Sequence, residues 1–140
     1  LVDDRGSGDR RVLMIAREKE PFRDQKEPVP RADALAFPGG SIEENESAVD
    51  AARRELFEET GYRAIGEPFA SIVIEFTSRG TMVRIESFAF SRWTPPEGAS
   101  ELTPKWMTFD EALSSRLAPG MSKALVAFRD ATELIAGQES

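Results

Sequence analysis

Residues 39–62 read "GGSIEENESAVDAARRELFEETGY", and the fold turns on how this stretch is understood. From about Ser47 to Thr60 it is built of good helix formers, and Gly61 is placed to close the helix at its C′ position. At about 100° per residue, Glu55, Glu58 and Glu59 fall within roughly one third of the helix circumference, and Val49, Ala52 and Leu56 form an apolar stripe beside them. Like charges three and four residues apart repel, so the cluster costs stability unless something neutralises it, as a metal ion would. Three glutamates alone support no more than a solvated acidic face, which is what most such runs are.

The composition narrows the chemistry. A chain of 140 residues with 40% hydrophobic and 31% charged residues is expected to form one domain over residues 1–140 with a real core, and is neither a disordered segment nor a membrane span. It contains no cysteine and no histidine. Disulfides, thiolate zinc sites, imidazole ligands and a histidine general base are therefore excluded. Any metal must be held by oxygen, which points to Mg²⁺ or Mn²⁺, and any general base must be a carboxylate or an activated water. The net charge of −7 leaves no basic patch for a nucleic-acid backbone, and an anionic substrate would need metal ions as bridges. The start, "LVDDRGSGDRR", has no apolar core or small-residue cleavage site, so a signal peptide is not expected and a cytoplasmic setting is.

Outward from residues 39–62, "RVLMIAR" (11–17) suits a buried strand and the proline-rich, charged 18–33 a solvated loop, after which "ALAF" (34–37) resumes an extended path. "FASIVIEFTS" (69–78) and "TMVRIESFAFSRW" (81–93), separated by Arg79-Gly80, read as a hairpin. "TPPEGAS" (94–100) breaks structure, "TPKWMTF" (103–109) resembles a short strand, and Thr108 and Glu111 are spaced as a capping box for the helix that follows. In "MSKALVAFRDATELIAG" (121–137), Leu125, Phe128, Thr132 and Ile135 recur at helical spacing, with Gly137 as the expected stop. Interleaved strands and helices make an α/β (α+β) arrangement, a mixed sheet covered by helices, the economical architecture.

One further pattern crosses the glutamate cluster. From Gly40 the chain runs five residues to Glu46, seven more to Arg54-Glu55-Leu56, one to Glu58-Glu59 and one to Gly61-Tyr62. This resembles the Nudix box, the signature of hydrolases that cleave nucleoside diphosphates linked to another moiety. The departure is Tyr62, where the family usually has an aliphatic residue that packs and does no chemistry. The resemblance implies an α/β/α sandwich with a mixed, partly antiparallel sheet between helices. It also implies metal ligation by Glu55, Glu58, Glu59 and the Gly40 carbonyl, with Arg54 and Glu46 orienting loop and helix through an ion pair or hydrogen bonds.

Beyond the box, "IVIEF", "SELTPKWMTFDEAL" and "LAPGMSKAL" resemble the tail of the MutT-like branch, which splits nucleoside triphosphates, damaged ones among them, into monophosphate and pyrophosphate. Glu101 falls where that branch places a glutamate that ligates metal or positions water. Arg17 matches an arginine used on substrate phosphate, and Phe37 lines the base pocket or belongs to the core. Oxidised-guanine specificity is not expected, because Leu35, Gly120 and Met121 stand where hydrogen-bonding side chains would be needed. Thr77 and Ser78 replace a proline that marks many ADP-ribose hydrolases. ADP-ribose and other dinucleoside or nucleotide-sugar diphosphates remain the alternative substrates, and a nucleotide-binding regulator without turnover the alternative class. The expected partner is a small-molecule nucleotide, with no nucleic acid and no membrane, for a monomer or homodimer.

Overall fold

Val12, Leu13, Met14 and Ile15 are all buried, so their strand is covered on both faces, as a continuous apolar run of this length requires. The structure is a computed structural model that describes residues 1–3, 10–16, 34–98 and 102–139. Arg17, Glu101 and residues 18–33, for which the sequence leads us to expect a loop, lie outside the described residues.

The strand in question, β2 (Arg11–Ala16), is the centre of a sheet. It pairs antiparallel with β1 (Val2–Asp3), with β3 (Leu35–Ala36) and with β8 (Lys105–Thr108). In order between β3 and β8 come α1 (Ala48–Thr60), β4 (Arg63–Ala64), the hairpin strands β5 (Ala70–Ser78) and β6 (Thr81–Ala89), and β7 (Trp93–Thr94). The helices α2 (Phe109–Leu113) and α3 (Met121–Glu139) follow β8. Strand β4 pairs with β7, and β5 with β6, again antiparallel. Leu35 makes a single parallel bridge to Leu117. The Val2 amide donates to the Phe90 carbonyl at 2.9 Å, tying the end of β6 to β1.

Alternation along these strands sorts the core into two. Val2, Val12, Met14, Met107 and Ala89 pack with Ile74 against Ala112, Ala124, Leu125 and Phe128 of α2 and α3. Their sequence neighbours Leu1, Leu13 and Phe90 turn the other way and pack with Leu56 of α1, joined by half-buried Phe88, Trp93 and Trp106. Successive side chains of a strand point to opposite faces, so the sheet lies between α1 on one side and α2 with α3 on the other. This is the α/β/α sandwich expected from the sequence.

Local details follow side-chain chemistry. In α1 the Ser47 hydroxyl caps the first turn by accepting from the Asp50 amide at 3.2 Å, and Gly61 takes φ +81° at the far end. The fully buried alanine of α1 is Ala51, whereas Ala52, assigned to the apolar stripe from spacing, is half-buried. Arg79 and Gly80 both have positive φ, as a two-residue hairpin turn demands. Thr108 and Glu111 form the capping box in full. The expected stop at Gly137 is corrected: α3 continues through it to Glu139. A C′ glycine ends a helix when it adopts positive φ, which Gly61 does and Gly137 does not. Tyr62 packs edge-on against Trp106 and accepts a hydrogen bond from its indole N–H at 3.1 Å, which gives the atypical box residue a packing role. Among the described residues no helix is long and apolar enough to cross a membrane.

Candidate active site

Helix α1 and the loop before it are clamped together by one side chain. The Arg54 guanidinium grips the loop residue Glu46 in a fork, Nε to Oε2 at 2.9 Å and Nη2 to Oε1 at 3.0 Å, and Nη2 also donates to the Ser41 carbonyl at 3.0 Å. Paired N–H donors on one carboxylate fix orientation as well as charge. The second terminal nitrogen, Nη1, turns to the helix. It donates to Glu55 Oε1 at 3.0 Å and to Glu58 Oε2 at 3.2 Å, and stands 3.7 Å from Glu43 Oε1. The Arg54 hydrogen bonds hold the Glu46 carboxyl below the usual carboxylate range, with the Glu43 amide adding to the effect. In return, Glu46 first and Glu55 next push the Arg54 guanidinium further from deprotonation.

The glycine pair meets the other box glutamates. The Gly39 amide donates to Glu59 Oε1 at 2.6 Å, and Glu59 is only 8% exposed. A Cβ placed on Gly40 would stand 2.5 Å from Glu55 Oε1 and 2.6 Å from its carboxyl carbon. Only a residue without a side chain lets the loop lie this close to the carboxylate. The backbone carbonyl of Glu59 accepts from the Leu102 amide at 3.0 Å, so the chain entering β8 is tied to the end of α1.

The sequence-derived site residues are thus placed as follows. Gly40, Arg54, Glu55, Glu58 and Glu59 are brought together where the glycine loop meets the second half of α1, with Glu55 and Glu58 drawn to Arg54 and Glu59 to Gly39. As the side chains stand, and among the described residues, no three acidic groups are gathered closely enough to enclose a metal ion together. The donor chemistry nevertheless suits a hard divalent cation, since every group is a carboxylate or carbonyl oxygen and the Gly40 backbone lies directly on Glu55. Phe37 is half-buried and packs on Phe128, ring centroids 5.7 Å apart, so at least part of it serves the core. Three contacts had no signature in residue type: the Ser41 carbonyl, the Gly39 amide and the Leu102 amide are backbone partners. Glu43, a fourth carboxylate facing Arg54, stands in the box loop but at none of its defined positions.

A two-faced sheet whose one helix carries glutamates, locked by an arginine to a glycine loop, defines the Nudix class of fold. The chain matches the family model of the NUDIX domain over residues 2–128. It belongs to that family and is a hydrolase acting on phosphorus-containing anhydrides. The E. coli ORF135 protein, known from a solution structure, is similar at 27% identity and a TM-score of 0.64, over 86% of this chain and 80% of that one. A MutT NUDIX hydrolase from Burkholderia pseudomallei shares the fold at 20% identity and a TM-score of 0.63, over 82% and 85%. The MutT protein from Methanosarcina mazei Go1 does so at 21% identity and a TM-score of 0.57, over 95% and 86%. No curated protein sequence matches the chain.

Proposed function

We propose that this chain is a Mg²⁺-dependent pyrophosphohydrolase, with Mn²⁺ as an alternative ion, that splits a nucleoside triphosphate, damaged or non-standard, into monophosphate and pyrophosphate. The observation that carries it is the glycine loop lying on the carboxylates, with Gly40 against Glu55 and the Gly39 amide on Glu59. Glu55, Glu58, Glu59 and the Gly40 carbonyl would hold the ion. When bound, such an ion neutralises phosphate oxygens and acidifies water.

The chain's own groups do the rest. Water adds to one phosphorus, the bridging P–O bond breaks, and the water proton goes to a carboxylate because no histidine exists. We assign that proton to Glu101, a further ion ligand or water-positioning group. Its neighbour Leu102 is hydrogen-bonded to the Glu59 carbonyl, which favours this assignment. Arg17 would meet substrate phosphate and the uncovered part of Phe37 the base. The same reading takes residues 1–140 as one domain, acting in the cytoplasm on a small-molecule nucleotide as a monomer or homodimer.

The test is release of pyrophosphate or phosphate across a nucleotide panel with Mg²⁺ and with excess chelator. Pyrophosphate from triphosphates that stops in chelator is the expected result. A much higher kcat/KM for ADP-ribose than for every triphosphate would move the substrate to that class, and binding without turnover would make the chain a nucleotide-binding regulator. Full turnover in chelator would remove the metal.

A further inference from the structure

An acidic cluster on a helix needs a counter-charge, and the structure already contains one. The single Arg54 nitrogen Nη1 serves Glu55 and Glu58 together, at 3.0 and 3.2 Å. The opposite side of the guanidinium is held elsewhere, by the Glu46 fork and the Ser41 carbonyl. Glu43 Oε1, 3.7 Å from Nη1, faces the same nitrogen from the loop. The arginine therefore has two sets of carboxylates: Glu43 and Glu46 on the loop, and Glu55 and Glu58 on the helix.

We infer that Arg54 is the resident counter-cation of this site and competes with the divalent ion for Glu55 and Glu58, releasing them while Glu46 and Ser41 retain its guanidinium. This rests on the proposed ligand role of the glutamates. The two cations draw on the same two carboxylates, Glu55 and Glu58, and repel each other, so their binding is antagonistic. Arg54 is then a positioning residue with a second effect. It keeps the glutamates ordered and neutralised when the ion is absent, and it sets how much ion is needed to load the site. Glu46 acts in the opposite sense, because it draws the guanidinium toward the loop and away from the helix.

The distinguishing measurement is calorimetric titration of Mn²⁺ alone, without nucleotide, into the full chain, with thermal denaturation of each variant in chelator and in saturating Mn²⁺. Arg54→Gln removes the competitor and should bind Mn²⁺ more tightly, on the order of tenfold. Its Mn²⁺-induced rise in Tm should exceed that of the native chain at the same ion concentration. Glu46→Gln should do the reverse, weakening Mn²⁺ binding as the guanidinium turns more fully to Glu55 and Glu58. Arg54→Lys, which keeps the charge without the fork, should stay closer to native than Arg54→Gln. A purely structural role for Arg54 would lower the Tm of Arg54→Gln equally with and without Mn²⁺.

Equal or weaker Mn²⁺ binding by Arg54→Gln overturns the inference. If that variant folds only with Mn²⁺, Glu46→Gln decides: weaker binding supports antagonism, and unchanged or tighter binding ends it. Absence of Mn²⁺ binding by the native chain overturns the proposed ligand set together with this inference, whereas binding in the wrong order of affinities overturns the inference alone.

Discussion

Gly40 and Glu55 are packed so closely that a methyl group on the glycine would stand 2.5 Å from the glutamate's Oε1. Gly40→Ala must therefore move either the loop or the carboxylate. Because the loop is exposed, its shift should leave Tm within a few degrees of native, while kcat falls by at least about tenfold through misplacement of Glu55. Steady-state kinetics beside a melting curve check this; native activity would mean that Glu55 is not held by that contact.

Glu58 and Glu59 should respond differently to the isosteric change to Gln. Glu58 is half exposed and paired with Arg54, so Glu58→Gln should be nearly neutral for stability, the repulsion it relieves being offset by the ion pair it loses. Glu59 is buried and accepts from the Gly39 amide, a bond a Gln carbonyl can keep in weaker form. Both variants should lose kcat by orders of magnitude with the fold intact. Near-native rates in both would remove the pair from the chemistry.

Gly61→Ala tests the end of α1. Its φ of +81° is costly for an L side chain, about 1–2 kcal/mol, and a Cβ there would lie 2.7 Å from Pro96 Cβ. A fall in Tm of several degrees is expected. An unchanged Tm would mean that Pro96 and the turn yield freely.

Acid should erase the contribution of Glu111. The Thr108 amide donates to its carboxylate at 3.1 Å, and this bond first, with a hydrogen bond from the Thr108 side chain next, holds its carboxyl below the ordinary value of 4.5. A lowered folded-state pKa stabilises above the unfolded value, and the gain is lost as pH falls toward the folded one. The Tm difference between native and Glu111→Ala should thus be full above pH 4.5 and shrink below it. A difference that grows in acid would contradict the sign.

Glu101→Ala should lower kcat more than it raises KM and flatten the acid limb of the pH–rate profile, as loss of a proton acceptor does. Thermal stability should hardly change. An unaltered profile would return the role to Glu55 or Glu59.

What could be read in the residues was whatever depends on spacing and residue type. The helix α1 between Ser47 and Gly61 was visible because a cap, good helix formers and a terminal glycine agree. The Arg79-Gly80 hairpin and the Thr108/Glu111 cap were visible for similar reasons. Gly137 misled because a glycine in a helical run signals a stop only through its φ, which tertiary packing decides. The apolar stripe includes half-buried Ala52 and omits buried Ala51 because it is fixed by an angle, and a small error in helix rotation moves burial to the neighbouring residue. The pairing of Arg54 with Glu46 came only through the family resemblance. Its division between loop and helix depends on where Nη1 points, and no spacing rule contains that. Contacts of Ser41, Gly39 and Leu102 use backbone atoms, which every residue type shares.

The opposite facing of Leu13 and Met14 along β2 sets two apolar clusters back to back across the sheet. Leu56 of α1 rests on the Leu13 side together with Phe88 of the hairpin, while Phe37 and Ile74 pack with α3 on the Met14 side. A substitution at Ile74 or Leu125 is separated from the glutamate helix by the sheet, whereas one at Phe37 has only Pro38 between it and the glycine loop that touches Glu55 and Glu59. The cluster of Ile74, Ala124 and Leu125 can therefore be repacked as a unit, with Phe37 kept native because the glycine loop on the carboxylates begins just beyond it.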